Sequence, residues 1–420
     1  MKVKEELSKL MAAPQNQRLA NLPGHRLRIG VITEFGRAVW GEEEAAEHGP
    51  DHAPGHTADH APGHSPDHAP DHALGHSPDH APDHTPGHSP DHAPDHAPGH
   101  SPDHKAGHVS DHALGHTPDD QSGLYEIGSI TKTMTGLLLS IGEEKGLWLA
   151  DNSLSGWDDD PWASGAFARE TTLKHLVTHT ANLPRVPLNL TATKQDRLNP
   201  YANYSDSHLR EALAKETPKP KRKHSYSNYS YGLLGWLLAR RMGLSLEEAL
   251  RREIWEPLEM MHTGVNGAAA STAALYPVYN SKGEPVPHWQ FQDTTAGAGA
   301  VYSSLEDMLA YVSACLGFSH PALRSAIDRC LEPHYEIFPG KGVAVGYAWM
   351  RYKEKDGTTT WWHNGGTFGS SSFAAFNREK AAGFVILSNY GTGLLSQLPL
   401  IGRRVMNVDK LARQVTAFLF

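Results

Sequence analysis

Gly128-Ser129-Ile130-Thr131-Lys132-Thr133-Met134-Thr135-Gly136-Leu137-Leu138-Leu139-Ser140-Ile141-Gly142 sets a serine and a lysine three positions apart at the head of an apolar run. Met134, Leu137, Leu138 and Ile141 recur at helical spacing and Gly146 stops the pattern, so a buried helix is predicted over residues 130–146. On it Ser129 and Lys132 lie on one face, a turn apart. A serine hydroxyl is a poor nucleophile until a base takes its proton. A lysine in a water-poor site loses affinity for its own proton and can serve as that base. The helix N-terminus adds positive potential where an acyl oxyanion would form. The plain alternative is a serine that merely begins a helix.

Two further stretches carry chemistry. Tyr226-Ser227-Asn228 precedes the apolar run Tyr231-Gly232-Leu233-Leu234-Gly235. A phenol beside an ammonium can relay a proton, and an Asn amide can hold both a lysine and a substrate carbonyl. Tyr201-Ala202-Asn203 has the same spacing but sits in a polar Asn/Pro/Asp stretch with no apolar helix after it, and it reads as a decoy. The third stretch is Trp361-Trp362-His363-Asn364-Gly365-Gly366, on a predicted strand. Its glycines let substrate backbone lie close, and the Gly366 N–H can join that of Ser129 in an oxyanion hole. A Gly-rich turn after an edge strand is the alternative. His262-Thr263-Gly264 follows a predicted helix, Pro257-Leu258-Glu259-Met260, and reads as a connector.

Around these motifs, residues 1–13 read as an amphipathic helix with Val3, Leu7, Leu10 and Met11 on one face. Leu27, Ile29 and Val31 alternate as a strand, and a turn at Glu34–Arg37 leads to a second at Ala38–Trp40. Residues 147–270 read as mostly helical, with Pro- and Asn-rich loops. Strands are predicted at 343–352, 359–364, 371–377 and 382–389, the last two joined at Arg378-Glu379-Lys380. Leu411, Val415, Phe418 and Leu419 mark a closing helix. Strands at both ends and helices between predict an α/β (α+β) fold. Its mixed, mainly antiparallel sheet is flanked by helices, with an inserted helical domain. The expected segments are 1–46, the helix and strands of the α/β domain; 47–118, an insert; and 119–420, the catalytic region, with helices over about 147–270.

Residues 47–118 are a tetrapeptide repeat: His recurs at every fourth position from His48 to His116, usually followed by a small residue and Pro. This segment holds 18 of the chain's 28 His, and only 13 of its 72 residues are apolar. It cannot bury enough apolar surface to offset its ordering entropy, and its prolines forbid the helix that would stack the imidazoles, so disorder is expected. One reading is weak divalent metal binding by neutral imidazoles. The other is an expanded repeat tolerated in a surface loop. The segment carries a charge of −10 against −9 for the 420-residue chain, so the body is near neutral and nucleic acid is not expected as a partner. Two cysteines, Cys315 and Cys330, exclude a disulfide scaffold and read as buried thiols. No run of 18 apolar residues would span a membrane, and the N-terminus lacks the apolar stretch of a signal peptide, so a cytoplasmic location is expected.

In this order the three motifs resemble the serine β-lactamase and penicillin-binding-protein family, whose related members carry a Ser-x-x-Lys signature. Within it the chain is most similar to the class C β-lactamase-like group of D-amino-acid peptidases and family VIII carboxylesterases. Leu176-Val177-Thr178-His179-Thr180-Ala181-Asn182-Leu183-Pro184 and Ala298-Gly299-Ala300-Val301-Tyr302-Ser303-Ser304-Leu305-Glu306-Asp307-Met308 also look like the family. The resemblance covers 123–420 well, 1–46 loosely and the repeat not at all. It implies Ser129 as the acylated nucleophile, Lys132 and Tyr226 as the proton-handling pair, and Asn228 as an anchor for substrate and lysine. His363, Gly365 and Gly366 would line the site on its strand.

Class C β-lactamases proper carry Lys-Thr-Gly where this chain has His363-Asn364-Gly365. A neutral imidazole there lacks the fixed charge that a lysine offers a substrate carboxylate. The expected activity is therefore a serine hydrolase for esters, D-amino-acid amides or short peptides. A true β-lactamase is the alternative within the class; a metal-buffering His-rich protein or a catalytically silent binding module are alternatives of other classes. Neither a cofactor nor a metal in the catalytic site is expected.

Overall fold

The structure is a computed structural model that describes residues 2–41, 123–193, 196–267, 275–392 and 406–420. The predicted repeat, with its expected disorder and metal binding, lies outside the described residues. Among the described residues the thirteen α-helices are α1 (Lys2–Met11), α2 (Pro14–Ala20), α3 (Thr131–Glu144), α4 (Ala166–Glu170), α5 (Leu173–Val177), α6 (Leu190–Thr193), α7 (Asp206–Ala214), α8 (Asn228–Met242), α9 (Leu246–Leu250), α10 (Asp293–Ala296), α11 (Leu305–Leu316), α12 (Arg324–Cys330) and α13 (Val408–Leu419). The strands are β1 (Leu27–Thr33), β2 (Gly36–Trp40), β3 (Tyr125–Glu126), β4 (Gly264–Val265), β5 (Val278–Tyr279), β6 (Pro285–Val286), β7 (Val301–Ser303), β8 (Tyr335–Phe338), β9 (Val343–Val345), β10 (Met350–Lys353), β11 (Thr359–Gly366), β12 (Ser371–Asn377) and β13 (Ala382–Ser388).

Among the described residues the main sheet has eight strands in the order β2-β1-β13-β12-β11-β10-β9-β8, every neighbouring pair antiparallel. The expected sheet from both termini is present: β1 pairs with β13 from Leu27↔Ser388 to Thr33↔Ala382. Successive side chains of a strand point to opposite faces, and two cores follow. Ile29, Val31, Phe373, Phe384 and Ile386 pack against Leu7 and Met11 of α1 and Leu411 and Val415 of α13. Ala374, Phe376, Val385 and Leu387 face the larger core, which includes α3, α8 and α11. This alternation puts Trp361 and His363 on the α3 side of β11, while Asn364 turns to the other face and donates to Asp409 of α13 at 3.1 Å.

Several expectations need correction. The strand read over 343–352 is two strands, β9 and β10, because Ala348 takes a left-handed φ of 69° and buries Trp349 in the turn. Pro257–Met260 is not a helix. The chain leaves a π-helical turn at Arg251–Trp255 and Glu259 takes φ 56°, which breaks helical hydrogen bonding. Strand β8, the three-stranded sheet β3-β7-β4 and helices α11 and α12 are further elements that the sequence reading missed, although Leu305, Met308, Leu309, Val312 and Leu316 of α11 recur at helical spacing behind the cap Ser304. Cys315 and Cys330 are buried free thiols, as expected. No described helix is long and apolar enough to cross a membrane.

Candidate active site

A tight turn, Gly128–Ile130, delivers Ser129 to the head of α3, whose residues from Thr131 to Gly142 are all buried. Gly128 has φ 51°, and a Cβ there would stand 2.5 Å from the Gly366 nitrogen. Only glycine lets the turn lie this close to the end of β11. Gly365 meets the same limit from the strand side, since a Cβ on it would overlap the Ile127 carbonyl. The N-terminal end of the Ser129 turn and the C-terminal end of β11 are therefore in direct backbone contact.

Lys132 is fully buried, and its Nζ lies 3.1 Å from Ser129 Oγ and 2.6 Å from the Ala298 carbonyl. It sits over the rings of Tyr226 and Tyr231, at 5.0 and 5.7 Å. Burial, and then the nearby Arg185 charge, hold its proton affinity well below the usual lysine value. A buried amine next to a hydroxyl and without a carboxylate partner is the arrangement of a neutral base.

Tyr226 ends the segment before α8, and Ser227 caps that helix by accepting from the Ser230 N–H at 3.0 Å. The Tyr226 hydroxyl hydrogen-bonds Ser129, and burial pushes its pKa up to about 12, so the phenol keeps its proton. His363 is buried with its ring centroid 6.5 Å from that of Tyr226. Its Nδ1 lies 2.6 Å from the Asn364 carbonyl, and burial, with the Lys132 charge, brings its pKa down to about 3. The imidazole is neutral at physiological pH.

Ser129, Lys132, Tyr226, His363, Gly365 and Gly366 are thus gathered in one place. Asn228 is close by, but it does not hold Lys132. The Ala298 carbonyl takes that place, and Asn228 Nδ2 instead donates to the hydroxyl of Tyr201 at 3.0 Å. Tyr201 is therefore no isolated decoy. It is buried, stacked on Phe291 at 4.8 Å and set edge-on to Trp289 at 5.3 Å. Tyr201→Phe should lower kcat/KM by about fivefold, the loss of about 1 kcal/mol from one neutral hydrogen bond. Tyr226→Phe should cost far more. Steady-state rates of the two variants on one ester decide it, and the opposite order would make Tyr201 the proton-handling tyrosine.

Three groups were missed by sequence reasoning. His179 takes φ 58°, accepts the Ser227 N–H at 3.0 Å and packs its ring 4.7 Å from that of Tyr226. It lies in the Leu176–Pro184 stretch already singled out, but nothing there announces a left-handed histidine. Glu126, buried three residues before Ser129, accepts from the Trp289 N–H at 2.8 Å, from Tyr302 Oη at 3.0 Å and from Thr367 Oγ1, so it ties β3 to the loop after β11. Arg185 lies with its guanidinium 5.2 Å over the Tyr226 ring. No cluster of three or more His, Cys, Asp or Glu fit to hold a metal occurs among the described residues.

A serine at the head of a buried helix and a buried lysine one turn on, against an inner strand of an antiparallel sheet, define a class: hydrolases that work through a serine. The profile of the Beta-lactamase family matches residues 104–397, and the chain belongs to that family of serine hydrolases. It is 27% identical to a beta-lactamase of Escherichia coli (strain K12), over 64% of this chain and 76% of that protein. A class C beta lactamase structure from Rhodobacter sphaeroides superposes with a TM-score of 0.63 at 17% identity, covering 98% of each chain. A D-alanine carboxypeptidase structure from Burkholderia cenocepacia gives 0.63 at 20% identity, covering 99% of each.

Proposed function

We propose that this protein hydrolyses esters, D-amino-acid amides or short peptides through an acyl-serine at Ser129, and turns β-lactams over slowly. The observation that carries the reading is the buried Lys132 amine, 3.1 Å from Ser129 Oγ and disfavoured as an ammonium. Lys132 Nζ takes the hydroxyl proton as Oγ bonds to the substrate carbonyl carbon. The oxyanion that forms lies between the N–H groups of Ser129 and Gly366. Collapse expels the leaving group, which takes its proton from Lys132 through the Tyr226 phenol. Water then attacks the acyl-serine, its proton returns by the same route, and the acid departs. The Asn228 Oδ1, buried without a donor, is left to accept a substrate N–H. The neutral His363 favours this reading over an efficient β-lactamase, because the strand offers no fixed charge.

The test is an intact-mass spectrum, acid-quenched seconds after mixing with a penicillin, with remaining penicillin quantified in the same tube. The expected result is one penicillin mass on Ser129 and most of the penicillin unconsumed. Rapid loss without an adduct would replace the reading with a true β-lactamase. No adduct, no loss and no cleavage of 4-nitrophenyl esters would remove the hydrolase reading.

A further inference from the structure

The buried carboxylate near Ser129, that of Glu126, is taken up by Trp289, Tyr302 and Thr367. The Arg185 charge bears on both Lys132 and Tyr226, and it disfavours the ammonium of the first. The three nearby imidazoles, His179, His224 and His363, are all shifted toward the neutral form by burial. Lys132 is pushed the same way. Arg185 is exposed, so its guanidinium keeps its charge in contact with solvent at the site. Among the described residues it makes no ion pair; its side chain rests on the Tyr226 ring at 5.2 Å. Its backbone carbonyl accepts the Asn228 N–H at 2.8 Å, so the residue is pinned to the head of α8.

A guanidinium held over an aromatic face keeps its in-plane N–H fork free, and that fork matches a carboxylate. With no ion-pair partner among the described residues, the guanidinium attracts anions. We propose that Arg185 is a specificity residue that binds the carboxylate of the substrate, supplying from the loop between α5 and α6 the charge that His363 does not supply from β11. The preferred substrates are then monoanionic: a half-ester carrying a carboxylate in its acyl part, or a D-amino-acid peptide with a free C-terminus. This rests on the acyl-serine reading above for the place where the substrate lies.

Two matched pairs test it. One is 4-nitrophenyl hydrogen succinate against its methyl ester, which puts the charge on the acyl side. The other is acetyl-D-alanyl-D-alanine against its C-terminal amide, which puts it on the leaving side. The readout is the ratio of kcat/KM for the anionic and neutral members in the wild type, Arg185→Gln and Arg185→Lys. In one pair the ratio should fall about tenfold in Arg185→Gln, the worth of one charged hydrogen bond at a solvated site, and be partly kept in Arg185→Lys. The pair that responds locates the carboxylate. Unchanged ratios in both pairs would overturn the proposal. If the wild type cleaves neither pair, calorimetric binding of monomethyl succinate and acetyl-D-alanine to Ser129→Ala protein replaces the ratio. An approximately tenfold loss on adding Arg185→Gln supports the assignment, and equal or absent binding overturns it. Turnover that survives Ser129→Ala would sink the acyl-serine reading instead, while the charge ratio stays readable.

Discussion

Ser129→Ala lowers turnover by about four to six orders of magnitude, the scale on which removal of a nucleophile acts when its supporting groups act as a unit. The expectation follows from the place of the hydroxyl. Among the described residues Ser129 Oγ is the side-chain oxygen that Lys132 Nζ hydrogen-bonds, and the Tyr226 phenol bonds Ser129 as well. Alanine removes the atom that bonds to the acyl group and nothing else, since the turn is shaped by Gly128 and the helix by its apolar face. Lys132 keeps the Ala298 carbonyl at 2.6 Å, so no buried amine is left without a partner. Circular dichroism and the melting midpoint should match the wild type within the effect of one hydrogen bond. The penicillin adduct should vanish from the mass spectrum. Turnover that persists in a folded Ser129→Ala protein would remove Ser129 as nucleophile and restore the silent binding module.

Lys132→Met lowers acylation by about a thousandfold or more, the contribution of a positioned general base, and it changes how the stability of the fold depends on pH. Burial holds the folded-state pKa of Lys132 well below 10.5, near which the unfolded chain takes up its proton. Between those two values the unfolded state binds one proton more than the folded state. Wild-type stability therefore rises with pH through that window, by about 1.4 kcal/mol per unit. Methionine fills the same space and has no such cost. It leaves the Ala298 carbonyl unpaired, a loss of about 1–3 kcal/mol. The advantage of Lys132→Met over wild type should thus be larger at pH 8 than at pH 10. Urea unfolding of both proteins at the two pH values checks it. A stability difference that does not change with pH would mean that the folded protein keeps the ammonium, and Lys132 would lose its standing as a base.

What could be read in advance was local. Ser129 and Lys132 are a helical turn apart, so their nearness follows from 3.6 residues per turn once the helix is granted. His363 faces the site because Trp361 faces the core two residues earlier, and a strand alternates. The paired termini followed from the positions of the alternating segments. What could not be read depends on backbone atoms or on loops. The second partner of Lys132 is a carbonyl of Ala298, and every residue has one. Tyr201 reaches Asn228 through a loop whose composition is polar, although its own ring is buried between Phe291 and Trp289. Left-handed residues at Glu259 and Ala348 ended a helix and divided a strand without the glycine that usually marks such a bend.

The pairing of β1 with β13 also bears on how the chain comes to be folded in a cell. Synthesis is vectorial, and β1 emerges long before Ala382–Ser388, the segment that lies against it over seven positions. In that interval β1 has only β2 beside it, and a lone hairpin is marginal in water. Ile29 and Val31 then stay wetted, and one edge of β1 stays open to any other extended chain. Closing so distant a contact early carries the full loop entropy, so the sheet completes only near the end of translation. The nascent protein is therefore a natural client for chaperones that shield unpaired strands. A ribosome that stalls before residue 382 leaves a product with no way to hide that edge.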